Sequence, residues 1–121
     1  MEWEEQAVPA DAVRAELGRI LASSHFDASE RNRRFLTFVV EEALAGRTDR
    51  IKAYPIATEV FGRDPEFDPQ LDSIVRIEAG RLRRSLERYY LTDGRSNDLR
   101  IDIPRGGYGP AGIRLAASGS G

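Results

Sequence analysis

In Ile74-Val75-Arg76-Ile77-Glu78-Ala79-Gly80-Arg81-Leu82-Arg83-Arg84-Ser85-Leu86-Glu87 two patterns run through the same residues. Val75, Ala79, Leu82, Leu86 and, just beyond, Tyr89 recur at spacings of 4, 3, 4 and 3, the period of one buried helical face. Asp72-Ser73 stands in front as a cap, so the spacing predicts a helix from there to about Tyr90. Turned away from the apolar stripe are Ser73, Arg76, Ile77, Gly80, Arg81, Arg84 and Arg88, with Glu78 and Glu87 as the acidic residues expected to offset that outward face. A glycine in a helix interior costs about 1 kcal/mol relative to alanine. At Gly80 it would let another surface come close to the helix backbone.

Downstream the period changes. Thr92 to Asp98 is a cluster of turn formers, after which Leu99, Ile101 and Ile103 alternate with Arg100 and Asp102 as in a half-buried strand. Pro104 to Gly107 reads as a turn, Tyr108 as the start of a return strand, and Ile113 to Leu115 as its extension. Residues 116–121 are a small-residue tail or linker.

Upstream, residues 1–8 form a leader without periodicity, and the folded domain is expected over 9–115. From Pro9, a favourable first-turn residue, Val13, Leu17, Ile20 and Leu21 make one apolar stripe on a first helix. Ser29, followed by Glu30, caps a second helix running to Ala45 and ended by Gly46. Its apolar residues Phe35, Leu36, Phe38, Val39, Val40, Ala43 and Leu44 cover more than half its circumference, which predicts the most buried helix of the chain. These two helices fill 9–46. Residues 51–61, with Pro55 near the start, read as a short third helix stopped by Gly62, and 63–71 as a loop with Asp64-Pro65 and Asp68-Pro69 turns.

With 121 residues, 40% hydrophobic and 31% charged, the chain has the size of one domain. No membrane span or secretion signal is evident, and the expectation is a soluble, cytoplasmic protein. Zero cysteines and one histidine exclude disulfides, thiolate metal sites and a cysteine nucleophile. The net charge of −2 is uneven: residues 1–71 carry 9 basic and 14 acidic side chains, residues 72–121 carry 9 and 6. All basic residues but Lys52 are arginine, whose planar fork suits phosphate and guanine.

Three motifs have plainer explanations. The acidic run Asp64, Glu66, Asp68, Asp72 lacks a calcium loop's glycine and closing glutamate, having Pro69 and Val75 in those places. Arg105-Gly106-Gly107-Tyr108-Gly109 has strand signals on both sides, so it is a hairpin tip and no phosphate loop. His25 has no partner at triad or metal spacing in its own segment and is expected to be an ordinary loop residue.

Helices, a loop, a long arginine-rich helix and a hairpin in this order give a mainly α chain with a C-terminal β-hairpin. That is the layout of a winged helix-turn-helix, in which the long helix enters the major groove of DNA. The segment Ile74 to Glu87 resembles the recognition helix of OmpR/PhoB-type response-regulator output domains, and Leu99-Arg100-Ile101-Asp102-Ile103-Pro104-Arg105-Gly106-Gly107-Tyr108 resembles their wing. The likeness covers about residues 51–110. It is closer still to a winged-helix variant at the amino terminus of bacterial adenylate cyclase and tetratricopeptide-repeat proteins, through Arg33-Arg34-Phe35-Leu36, Val60-Phe61-Gly62-Arg63, Phe67-Asp68-Pro69, Asp72-Ser73-Ile74-Val75-Arg76 and Tyr89-Tyr90. Two helices stand where the response-regulator domains have an initial sheet, no receiver domain is expected within these 121 residues, and Glu78 occupies a position that often contacts DNA in that family.

The resemblance implies a bacterial transcriptional regulator, or the DNA-binding part of a larger one, that holds double-stranded DNA. The expected contacts are Ser73, Arg76, Ile77, Gly80, Arg81, Arg84, Arg88 and Arg105. Arg76, Ile77 and Gly80 would lie near base edges, Arg81, Arg84 and Arg88 near phosphates, and Arg105 at the tip of the wing. No metal, cofactor or catalytic group is expected, and carboxylates such as Glu41-Glu42 do not face each other. The alternative is a winged-helix module for protein interaction or dimerisation without DNA binding, which the overall acidity favours. The stripe of the first helix is expected either to cap the domain or to join two copies in a weak homodimer. A regulatory domain, attached or separate, is a further expected partner.

Overall fold

The computed structural model describes residues 8–105, 107–108 and 114–115, the last two by backbone alone. The leader up to residue 7, the tail 116–121, and Gly106 and Gly109 of the expected hairpin tip lie outside the described residues. The chain is mainly helical. Helix α1 spans Ala10–Ala22, α2 Glu30–Leu44, α3 a single turn at Ala53–Pro55, and α4 Ile74–Leu91; the strands are β1, Leu99–Arg100, and β2, Arg114–Leu115.

The punctuation follows the sequence. Ser29 Oγ accepts from the backbone N–H of Asn32 at 3.1 Å and caps α2. Gly46 and Gly62 hold φ of +79° and +72°, a left-handed conformation that ends the preceding turns with little cost for glycine. The third helix departs from expectation. A 3-10 turn at Thr48–Arg50 precedes α3, which passes directly into a wide π-type turn at Ile56–Val60. Pro55 lies in the first turn, where its missing N–H loses no helical partner, and Ile56 N–H bonds Lys52 O at 3.1 Å; beyond it Phe61 N–H reaches back to Ile56 O at 3.2 Å, the wider π spacing.

One hydrophobic cluster joins all the helices to the segment 99–103. Phe35, Leu36, Val39 and Val40 of α2 meet Ile56, Ala57 and Val60 of the π turn and Ala79, Leu82 and Leu86 of α4. Phe35 and Phe61 pack edge to face at 5.4 Å, a favoured geometry for two aromatic rings. Val13, Leu17 and Ile20 are buried within the same chain, so the first helix caps the core with the stripe that was the candidate for joining copies. The most buried helix is α4, with eight buried residues, rather than α2, with five. Phe38, Ala43 and Leu44 lie at the margin of the core, whereas Glu78 and Ser85 of α4 are drawn in beside its apolar stripe.

A polar network completes the packing. Glu16 is fully buried on α1 and accepts bonds from Arg19 at 2.9 Å, Asn97 at 3.0 Å and the Tyr90 hydroxyl at 2.7 Å. His25 lies in the loop as expected, exposed, and finds its partner in a distant segment: its Nδ1 lies 3.0 Å from Asp93 Oδ1, and Ser23 Oγ donates to the other oxygen of that carboxylate. These bonds, that to Ser23 foremost, hold the Asp93 carboxyl below its ordinary value and tie the α1–α2 link to the turn after α4.

Segment 99–103 alternates as expected, with Leu99, Ile101 and Ile103 buried and Arg100 and Asp102 exposed. Strand pairing is shorter. Among the described residues Leu99 and Arg100 are laddered, antiparallel to Leu115 and Arg114. The N–H of Ile101 is taken by the Tyr90 hydroxyl at 2.8 Å, and the carbonyls of Ile103, Pro104 and Gly107 by Arg83, so these groups are withdrawn from strand pairing. Tyr108 itself is in no strand, and its ring lies 6.5 Å from that of Phe35; Ile113 of the expected return strand lies outside the described residues, and Arg114–Leu115 is a strand.

Candidate nucleic-acid interface

Helix α4 begins where Asp72 Oδ1 accepts the Ile74 N–H at 3.1 Å, its other oxygen taking a 2.8 Å bond from Arg63. That Arg63 bond is the main reason the Asp72 carboxyl is held below its ordinary range. The cap predicted at Asp72-Ser73 is thus made by Asp72. The Ser73 side chain makes no capping bond and is half-buried, while its carbonyl accepts the Ile77 N–H at 2.9 Å.

The outward face of α4 carries Arg76, Ile77, Arg81, Arg84 and Arg88, all exposed, with Gly80 half-buried among them. Ile77 is 50% exposed, unusual for a large aliphatic residue on a well-packed helix. The arginines differ in what holds them. Arg81 pairs with Glu78 at 3.2 Å, and Arg88 pairs with Asp27 of the α1–α2 link. Elsewhere Arg14, Arg19, Arg31, Arg47, Arg50 and Arg63 are also in ion pairs. Arg76 and Arg84 are in none among the described residues. Arg84 leans over the gap left by Gly80, its Nη1 3.8 Å from where a Cβ would stand.

Glu78 does not offset that face in the expected way. Three residues on from Val75, it lies only about 60° round the axis from it, within the buried half of the helix. Its side chain is 7% exposed and is held by Arg81 and, across from α2, by Arg31 at 3.3 Å. Burial of a carboxylate is tolerated when opposite charges satisfy it. Its place inside the apolar period was the available sign of this arrangement. The consequence is that Arg31, absent from the sequence-based set, stands beside Arg81, its guanidinium 5.6 Å from the Phe61 ring centre.

Arg83 points the other way, towards the chain after β1. Its Nε donates to Ile103 O at 2.9 Å, and its Nη2 to Pro104 O at 2.8 Å and Gly107 O at 3.3 Å. Between those carbonyls Arg105 is exposed and, among the described residues, without an ion pair. One helix therefore presents Arg76 and Arg84 outward and, through Arg83, holds the turn that carries Arg105.

Hollows among the described residues lie off this outward face, and two are of note. The larger, about 770 Å³, runs between α2 and the π turn and shares no residue with α4; Arg33 in its wall is committed to the carbonyls of Leu21, Phe26 and Ala28. The smaller, about 320 Å³, lies between Leu86, Tyr90 and Leu91 of α4 and Arg100 to Asp102. Among the described residues no cluster of His, Asp or Glu could hold a metal, and no helix is long and apolar enough to cross a membrane. Compared with family models, curated proteins and solved structures, the chain matches none.

Proposed function

We propose that the chain binds double-stranded DNA as a winged-helix element of a bacterial transcriptional regulator. Helix α4 would lie in the major groove, with the turn at 103–107 serving as the wing. The observation that carries the reading is the contrast among the arginines. Most are consumed in ion pairs or on carbonyls, yet Arg76 and Arg84 flank Gly80 on an outward face with no acidic partner among the described residues. Exposed Ile77 adds an apolar contact of the kind that meets a thymine methyl. Arg76, Ile77 and Gly80 would face base edges, Arg84 and Arg105 phosphates; Arg81 and Arg88 could serve a phosphate only in competition with Glu78 and Asp27.

A second reading, an interaction module that binds protein instead of DNA, is favoured by Leu71, 87% exposed, and Tyr54, 46% exposed. Self-association would need a surface other than the α1 stripe, which the chain's own core covers. A mobility-shift assay with mixed genomic fragments at two salt concentrations tests the choice. Retention that weakens as salt rises supports DNA binding; no retention in low salt supports the protein-binding module.

A further inference from the structure

Arg83 is the arginine of α4 that the outward face does not use. Its guanidinium reaches three carbonyls of one turn, those of Ile103, Pro104 and Gly107, at 2.9, 2.8 and 3.3 Å. Among the described residues the strand ladder pairs Leu99 and Arg100 with Leu115 and Arg114, whereas the carbonyls of Ile103, Pro104 and Gly107 are bonded by Arg83. Ile103 is buried against the core, while Arg105, two residues on, projects into solvent. Charge-assisted bonds from a planar fork hold a backbone more rigidly than a lysine ammonium can.

We propose that Arg83 is a positioning residue that fixes the 103–107 turn, and with it Arg105, relative to the outward face of α4. It joins two contact regions of one binding surface without touching the ligand. This role in binding rests on the DNA reading above, whereas the latch itself is testable without DNA. The fork sets where Arg105 can stand when α4 is seated, so the turn delivers its charge to a backbone phosphate at a fixed offset from the helix. An unlatched turn would have to be ordered at the moment of binding, which weakens association.

The test compares the wild type with Arg83→Ala, Arg83→Lys, Arg105→Ala and the double variant Arg83→Ala/Arg105→Ala. Arg83→Lys keeps the charge and the aliphatic stem, so it preserves folding while removing the fork. Without DNA, an arginine-specific endoprotease is followed by mass spectrometry at the Arg105–Gly106 bond. Both Arg83 variants are expected to be cut about tenfold faster or more there, with cooperative unfolding retained, because cleavage follows local opening. With duplex DNA, Arg83→Ala is expected to flatten the slope of log affinity against log salt by about one unit, and Arg105→Ala to add little in that background. An unchanged cleavage rate overturns the latch whatever happens with DNA. Faster cleavage with fully additive effects of Arg83→Ala and Arg105→Ala on affinity overturns the positioning role. Failure of the wild type to bind any duplex overturns the DNA reading, and the role in binding with it, while the cleavage result still decides the latch.

Discussion

The Tyr90 hydroxyl donates to Glu16 Oε2 at 2.7 Å and accepts from the Ile101 N–H at 2.8 Å, so one phenol near the end of α4 joins the first helix to the segment after β1. Burial is the main cause that raises its pKa far above the ordinary value of 10.0. The folded chain therefore keeps this proton where the unfolded chain gives it up. The stabilisation is fully present below pH 10 and is lost as pH rises above it, by about 1.4 kcal/mol per pH unit. Tyr89, also raised chiefly by burial, adds to the trend. Tyr90→Phe should cost about 1–3 kcal/mol at neutral pH, because it leaves buried groups unpaired, and should make the alkaline fall shallower. Urea unfolding between pH 8 and 11.5 checks both; an alkaline slope equal to that of the wild type would contradict the role given to this phenol.

Leu82 is fully buried at the centre of the α4 stripe. Leu82→Ala should cost about 2–5 kcal/mol through lost burial and the cavity left behind. A shift in urea midpoint no larger than that of an exposed-site variant such as Glu87→Ala would reject this helix register.

The sequence made the helices legible because each has an apolar period and a punctuating residue: Ser29 before α2, Gly46 after it, and Val75 to Tyr89 along α4. It missed what depends on contacts between distant segments. The partners of Arg83 are backbone carbonyls twenty and more positions away, which periodicity does not register. Glu16 and Glu78 were partly legible, each being a carboxylate inside an apolar stripe; their partners Tyr90, Asn97 and Arg31 come from other elements. Of the expected return strand, Tyr108 is in no strand and Arg114–Leu115 is; alternation reports burial, which runs from Leu99 to Ile103, and among the described residues the pairing involves Leu99 and Arg100.

Gly80 separates stability from binding. A methyl group there would meet only Arg84 Nη1, at an ordinary 3.8 Å, so Gly80→Ala should stabilise α4 by up to about 1 kcal/mol. If duplex approaches the helix at this point, the same change should weaken DNA binding. Thermal unfolding and mobility shift on one preparation check this, and a stabilised variant with unaltered affinity would move the contact away from Gly80.

Glu78 holds Arg31 and Arg81, so Glu78→Gln should release two guanidinium groups to a phosphate backbone. Affinity for duplex of any sequence should rise, and the salt dependence should steepen by about one unit for each of the two arginines that reaches a phosphate. Titration at several salt concentrations measures this; unchanged affinity would show that neither arginine faces the DNA.

The most direct measurement of the central claim is the salt dependence of duplex binding by the wild type, Arg84→Ala, Arg76→Ala and Arg14→Ala. Arg14 lies on α1, paired with Glu41 at 3.0 Å, and serves as the distant control. Arg84→Ala should weaken binding to all sequences and flatten the slope of log affinity against log salt by about one unit. Arg76→Ala should cost about 1–3 kcal/mol on a preferred site and much less on random DNA. Arg14→Ala should match the wild type. No duplex binding by the wild type in low salt, or an Arg14→Ala effect as large as that of Arg84→Ala, would contradict the account.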